Sequence, residues 1–185
     1  MGESGALYGS AGGTIFELTP PASPGNPWTE TTIGTEPYLA GPQAGLVIGA
    51  GGVLYGTTLT GGNYRHGSVF EFAPPGTPGG AWTQTDIYSF YESPSVVGIS
   101  PYATQLIGKN GVLYGTSTDG GTSGLGTVFV LLPPAAAGRP WTVRVLQDFT
   151  DASGGQPQGA LIAVNGALYA RPLSAGLRIR EQCSS

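Results

Sequence analysis

Charge is scarce in this chain. Lys, Arg, Asp and Glu together make up 10% of its 185 residues, far below the roughly 25% of an average globular protein. Seven basic and eleven acidic residues leave a net charge of −4, so the basic footprint of a nucleic-acid binder is missing. No polybasic run points to an anionic membrane surface. No apolar stretch nears the ~20 residues of a membrane-spanning helix, which argues against membrane insertion. There is one cysteine, Cys183, and one histidine, His66. That excludes an intramolecular disulfide and leaves a zinc site nothing to build on. The opening MGESGALYGS lacks the basic region and apolar core of a signal peptide. Ala6 stands where a myristoylation signal needs Ser or Thr. Gly and Pro break the chain into short runs, which disfavours helix.

The 33 glycines and 16 prolines fall between aromatic and β-branched runs, so they read as turn punctuation rather than low complexity. Those runs repeat. Leu-Tyr-Gly occurs at Leu7-Tyr8-Gly9, Leu54-Tyr55-Gly56 and Leu113-Tyr114-Gly115, and a fourth copy reads Leu168-Tyr169-Ala170. A β-rich run follows each of the first three, centred on Phe16, Phe70 and Phe129. Then come the pairs Pro20-Pro21, Pro74-Pro75 and Pro133-Pro134, and after them Trp28-Thr29, Trp82-Thr83 and Trp141-Thr142. Pro42, Pro101 and Pro157 each precede an apolar pair, at Leu46-Val47, Leu106-Ile107 and Leu161-Ile162. The order never changes, and the period is 54 residues from Trp28 to Trp82 and 59 from Trp82 to Trp141. Such self-similarity is the mark of a repeat architecture.

Each repeat divides into four short strands. In the central copy they are expected at 44–49, 53–58, 67–72 and 81–90. Gly51-Gly52, Asn110-Gly111 and Asn165-Gly166 separate the first two strands, and such pairs accept the positive φ of a tight hairpin. Val69-Glu71 alternates with Phe70-Phe72, the period-two pattern of a strand. One sheet of this size cannot bury both faces alone, so neighbouring sheets must stack. The expected fold is therefore all-β, a β-propeller-like tandem repeat of four-stranded antiparallel blades, close in period to the roughly 50 residues of kelch repeats. A β-sandwich is the runner-up. Tyr8, Tyr55, Tyr114, Tyr169, Trp28, Trp82 and Trp141 are expected to fill the gaps between blades.

The repeat divides residues 1–170 into a partial blade at 5–40, whole blades at 41–95 and 96–152, and a partial blade at 153–170. Residues 171–185 read as an off-repeat tail, which holds Arg171, Arg178 and Arg180. About three blades is too few for an ordinary ring of four to eight. The strand around 160–164 could pair with the first blade, the arc could stay open, or the chain could self-associate to complete a ring.

The run Leu54-Tyr55-Gly56-Thr57-Thr58, Gly61-Gly62, Gly67-Ser68-Val69-Phe70-Glu71-Phe72 and Trp82 resembles the bacterial GloVer repeat of choice-of-anchor tandem-repeat proteins. Leu113-Tyr114-Gly115-Thr116-Ser117, Gly120-Gly121 and Gly126-Thr127-Val128-Phe129 match it equally well. The resemblance covers the chain to about residue 170. It implies an extracellular or cell-surface setting and no assigned catalytic residues.

The repeat weighs against most candidate chemistry. Glu17 and Glu71 hold the same place in their repeats and read as exposed scaffold, as does Glu30. Asp148 and Asp151 in Asp-Phe-Thr-Asp-Ala-Ser-Gly-Gly could offer oxygens to calcium, but their spacing matches no known loop and an Asx-type turn explains them. Asp119 reads as a turn too. Arg65-His66 sits in a loop whose counterpart, Ser123-Gly124-Leu125, shares neither residue. The Gly-rich runs precede no helix, so they are not phosphate cradles. No catalytic, cofactor-binding or metal residue and no cofactor is assigned. Three functions stay open. One is a non-enzymatic repeat module that is structural or binds an unidentified protein or glycan. The second is a carbohydrate-active enzyme on a propeller scaffold, with a carboxylate pair drawn from Asp86, Asp119 and Asp148. The third is a remnant repeat fragment without an independent role.

Overall fold

The computed structural model describes residues 5–35, 45–77, 79–91, 98–102, 106–136, 138–165 and 167–170, and the backbone of 177–179. Pro42, Gly166, Arg171, Arg180 and Cys183 lie outside the described residues, as do the expected blade boundaries near 40 and 95.

The described chain is four antiparallel sheets in sequence order. Unit 1 holds β1 (Leu7–Ala11), β2 (Thr14–Thr19) and β3 (Thr29–Thr35). Unit 2 holds β4 (Val47–Ile48), β5 (Leu54–Thr58), β6 (Ser68–Ala73) and β7 (Thr83–Ser89). Unit 3 holds β8 (Ile99–Pro101), β9 (Leu106–Ile107), β10 (Leu113–Asp119), β11 (Thr127–Leu132) and β12 (Thr142–Asp148). Unit 4 holds β13 (Ile162–Val164), β14 (Ala167–Ala170) and β15 (Leu177–Ile179). Within each unit consecutive strands are hydrogen-bonded neighbours, apart from β8 and β9, which both pair with β10. The four strands expected in the central repeat are β4 to β7. Between β4 and β5, and between β9 and β10, the chain turns through Ala50–Gly52 and Lys109–Gly111. Gly51 (φ 65°) and Asn110 (φ 58°) sit at the same left-handed corner, where Gly and Asn are the residues least penalised.

Every Leu-Tyr-Gly glycine faces a phenylalanine across the hairpin: Gly9 opposite Phe16, Gly56 opposite Phe70 and Gly115 opposite Phe129. The tip of the ring reaches over the glycine. A Cβ at Gly9 or Gly115 would stand 2.5 Å from the ring, closer than real contacts allow. In unit 4 both members change together, and Ala170 pairs with Leu177.

Three apolar cores lie between successive units. Ile15 of unit 1 meets Leu54, Phe70 and Phe72 of unit 2. Val69 and Phe90 of unit 2 meet Leu113, Phe129 and Leu131 of unit 3. Val128 and Phe149 of unit 3 meet Leu161, Leu168 and Ala170 of unit 4. The alternation on β6 thus splits two ways, with Phe70 and Phe72 in one core and Val69 in the next. The expectation that Glu71 faces outward is corrected: it is half-buried, because a sheet stacked on both sides has little solvent face to offer.

Two further expectations change. The strand at Ile162–Val164 pairs with β14 of its own unit, not with unit 1, whose sheet is β1-β2-β3. The tail is not wholly off the repeat either. Leu177–Ile179 adds to β14 as the third strand of unit 4, the place β6 and β11 hold in units 2 and 3.

Candidate functional site

The repeat aromatics sit at the junctions. Tyr8 of unit 1 meets Trp82 of unit 2 edge-on, with centroids 6.0 Å apart at 62°. Tyr55 of unit 2 meets Trp141 of unit 3 the same way, at 6.2 Å and 67°. Tyr114 packs on the core shared with unit 4, and Tyr169 is half-buried. Trp28 differs from its fellows: it is 47% exposed.

A second junction device joins the long hairpin loop of one unit to the entry of the next. Loops 61–67 and 120–126 have matching backbones. Gly67 donates its N–H to the carbonyl of Gly61 and Gly126 to that of Gly120, both at 3.0 Å. Ser100 then donates to the His66 carbonyl at 2.9 Å, and Gln156 to the Leu125 carbonyl at 2.8 Å. The buried prolines Pro101 and Pro157 rest against Gly67 and Gly126, which leaves no room there for a Cβ.

The carboxylates are held by the scaffold. The Tyr8 hydroxyl donates to Glu17 Oε1 at 3.3 Å. Burial raises the Tyr8 pKa, and the Glu17 charge adds to it. Glu71 lies across from Tyr55, and burial raises its pKa. Both glutamates are half-buried, not exposed as expected. Glu30 is exposed on β3. Asp148 caps loop 120–126: Thr122 donates its N–H to both carboxylate oxygens, at 3.2 and 3.1 Å, and its hydroxyl to Oδ2 at 2.7 Å. Ser89 does the same work in unit 2, accepting from the Asn63 N–H at 3.2 Å. Asp86 accepts from Ser68 Oγ at 3.2 Å, and Asp119 from Thr118 Oγ1 at 3.1 Å. Asp151 lies in an exposed turn that Ser153 closes by accepting the Thr150 N–H at 2.8 Å. Among the described residues no three His, Cys, Asp or Glu side chains group closely enough to hold a metal ion.

A cleft of about 760 Å³ opens between β2–β3 and the Pro74-Pro75 loop. Its walls include Tyr8, Glu17, Thr32, Pro75 and Trp82. Glu17 is the one acid on those walls, whereas glycoside hydrolysis uses two carboxylates flanking the bond. Asp86, Asp119 and Asp148 do not line it.

An aromatic pair that the repeat pattern did not single out joins loop 61–67 to the end of β7. Tyr64 is 58% exposed and Tyr91, just past β7, is 47% exposed. Their rings are 5.6 Å apart at 55°. The readable signal was a departure from the repeat, since Ser123 and Thr150 stand at the matching places. Beneath Tyr91, Tyr88 meets Phe90 edge-on at 4.9 Å. Burial pushes the Tyr88 pKa from 10.0 to about 12, and Tyr91 adds to the rise. The unfolded chain therefore loses this proton before the folded chain does. Stability is full below pH 10.0 and falls as pH rises toward about 12. Tyr88→Phe is expected to make that fall shallower, measured as urea midpoints across the window.

These features define an all-β tandem-repeat protein built from serially stacked antiparallel sheets. The chain belongs to the Gloeobacter/Verrucomicrobia repeat family, whose model matches residues 1–177. No curated protein matches it.

Proposed function

We propose that this chain is a non-enzymatic, propeller-type repeat module that acts by binding, within an exported or surface protein, and that a second copy completes its stack of blades. One observation carries the reading. Leu54, Phe70, Phe72 and Trp82 form the face of unit 2 that packs on unit 1. Leu7, Phe16, Leu18 and Trp28 hold the same places in unit 1. There Leu7 is 42% and Trp28 47% exposed, and Phe16 and Leu18 are half-buried. At the far end, Tyr169 pairs with Ile162, as Tyr114 pairs with Leu106 and Tyr55 with Val47. Ile162 is 58% exposed, while Leu106 and Tyr114 pack on the core with unit 4. The two end faces therefore have the composition of the two halves of an internal junction. Head-to-tail contact between such faces closes a ring or builds a filament. The scaffold bonds of Glu17, Asp86, Asp119 and Asp148 support a non-enzymatic role, and the family resemblance supports export.

Light scattering on size-exclusion peaks tests this. Wild type is expected at twice the chain mass or more, and Trp28→Arg at the single-chain mass with unchanged circular dichroism. A wild-type monomer at all loading concentrations would sink the proposal.

A further inference from the structure

We propose that Tyr64 and Tyr91 form a platform that binds a pyranose glycan. The inference rests on the reading of the chain as a binding module and gives that module a site and a ligand class.

The chain supplies its own control. Loop 120–126 follows the same path as loop 61–67, with the same Gly-to-Gly closure and the same bond to the next unit. It does so with Ser123 in place of Tyr64 and Thr150 in place of Tyr91. The fold therefore does not need either ring. Two exposed aromatics meeting at 5.6 Å need a reason beyond packing.

The backbone adds a second departure. Arg65 has φ 63°, where Gly124 has φ 70° in the sister loop. A left-handed conformation at a residue with a Cβ costs about 1–2 kcal/mol. Strain of this kind gathers at functional sites, and here it falls at the residue that follows Tyr64 in the loop. Loop 61–67 is held from beneath, by the Asn63 N–H on Ser89 Oγ and by the Ser100 N–H on the His66 carbonyl. The platform is thus presented on a fixed base, which limits the entropy lost on binding.

The chemistry favours a sugar. Tyrosine offers a rigid, amphipathic surface with two side-chain torsions to freeze. Its ring face is negative and suits the weakly positive C–H face of a pyranose.

 The ring edge, which is positive, meets that face less well. The rings meet at 55°, and the exposed residues Asn63 and Arg65 flank Tyr64 in the loop, so the same loop carries polar groups suited to sugar hydroxyls. A protein partner needs roughly 800 Å² of contact per side. The other large apolar side chains exposed among the described residues, Leu7, Trp28, Ile162 and Val164, lie in units 1 and 4 and do not extend this patch.

Isothermal titration of the full chain with hexasaccharides of glucose, xylose, mannose and N-acetylglucosamine tests the proposal. The comparison is with Tyr64→Ser/Tyr91→Thr, which installs the residues of the sister unit. Wild type is expected to bind at least one hexasaccharide, and the double variant to bind it at least about tenfold more weakly. The thermal midpoint and the mass by light scattering are expected to be the same for both. If no hexasaccharide titrates, or if the double variant binds as well as wild type, the proposal is overturned. It is also overturned if the double variant changes the mass without changing sugar binding, because the rings would then be a contact between copies. A loss of assembly in wild type with sugar binding intact would instead count against the proposed stacking of copies alone.

Discussion

Gly115→Ala is expected to destabilise the chain by about 2–3 kcal/mol, read as a shift in the urea midpoint. The sign is opposite to the usual one, since alanine in a strand normally improves on glycine by about 0.5–1 kcal/mol. The reversal comes from Phe129. Its ring covers Gly115, and a new Cβ would stand 2.5 Å from Cζ and 3.0 Å from Cε2. The ring has nowhere to go, because it is fully buried and meets Phe90 edge-on at 5.2 Å. Unit 4 shows the permitted alternative, with alanine opposite leucine at Ala170 and Leu177. Phe129→Leu alone is expected to destabilise by about 1–2 kcal/mol through lost volume. Combined with Gly115→Ala it should recover part of the loss, with a coupling of about 1–2 kcal/mol. Strict additivity would mean that the ring and the glycine do not constrain each other.

Much of this fold could be read from the residues. The hairpin at Asn110-Gly111 was legible because few residues other than Gly and Asn accept a left-handed corner. The four strands of the central repeat were legible from β-branched and aromatic runs between Gly and Pro clusters. That neighbouring sheets must stack was legible from the size of one sheet, but which residues enter which core was not. Val69 and Phe70 alternate like a half-exposed strand, and their letters do not say that each neighbour belongs to a different core. The third strand of unit 4 was hidden for a related reason: once Gly-Phe had become Ala-Leu, the repeat pattern was gone although the pairing remained. The candidate platform was harder still. Tyr64 and Tyr91 are distant in sequence, and only the fold of loop 61–67 against the end of β7 brings their rings together. The scaffold role of Asp148 was equally obscure, since its partner Thr122 lies 26 residues away.

The second large effect belongs to the junction aromatics. Trp141→Ala is expected to destabilise by about 2–4 kcal/mol, and Tyr55→Ala by a similar amount. Trp141 is half-buried and packs with Leu113, Phe129 and Leu131 on the core between units 2 and 3. Its loss opens that core where the two sheets meet. Because such arrays gain stability from contacts between neighbouring units, the loss is expected to broaden the unfolding transition as well as lower its midpoint. Asp148→Ala, which removes one loop cap, is a fair comparison, since its effect should stay near 1 kcal/mol.

The units stack face to face, with the tyrosines of units 1 and 2 each meeting the tryptophan of the next unit. A double-mutant cycle on Tyr55 and Trp141 measures that directly. The two residues lie in different units, and their rings are 6.2 Å apart at 67°. With Tyr55→Leu, Trp141→Leu and the double variant compared by urea unfolding, the stacking predicts a favourable coupling of about 0.5–1.5 kcal/mol. A coupling of zero would mean that the two rings do not meet in solution, and the stacked arrangement of the units would be contradicted.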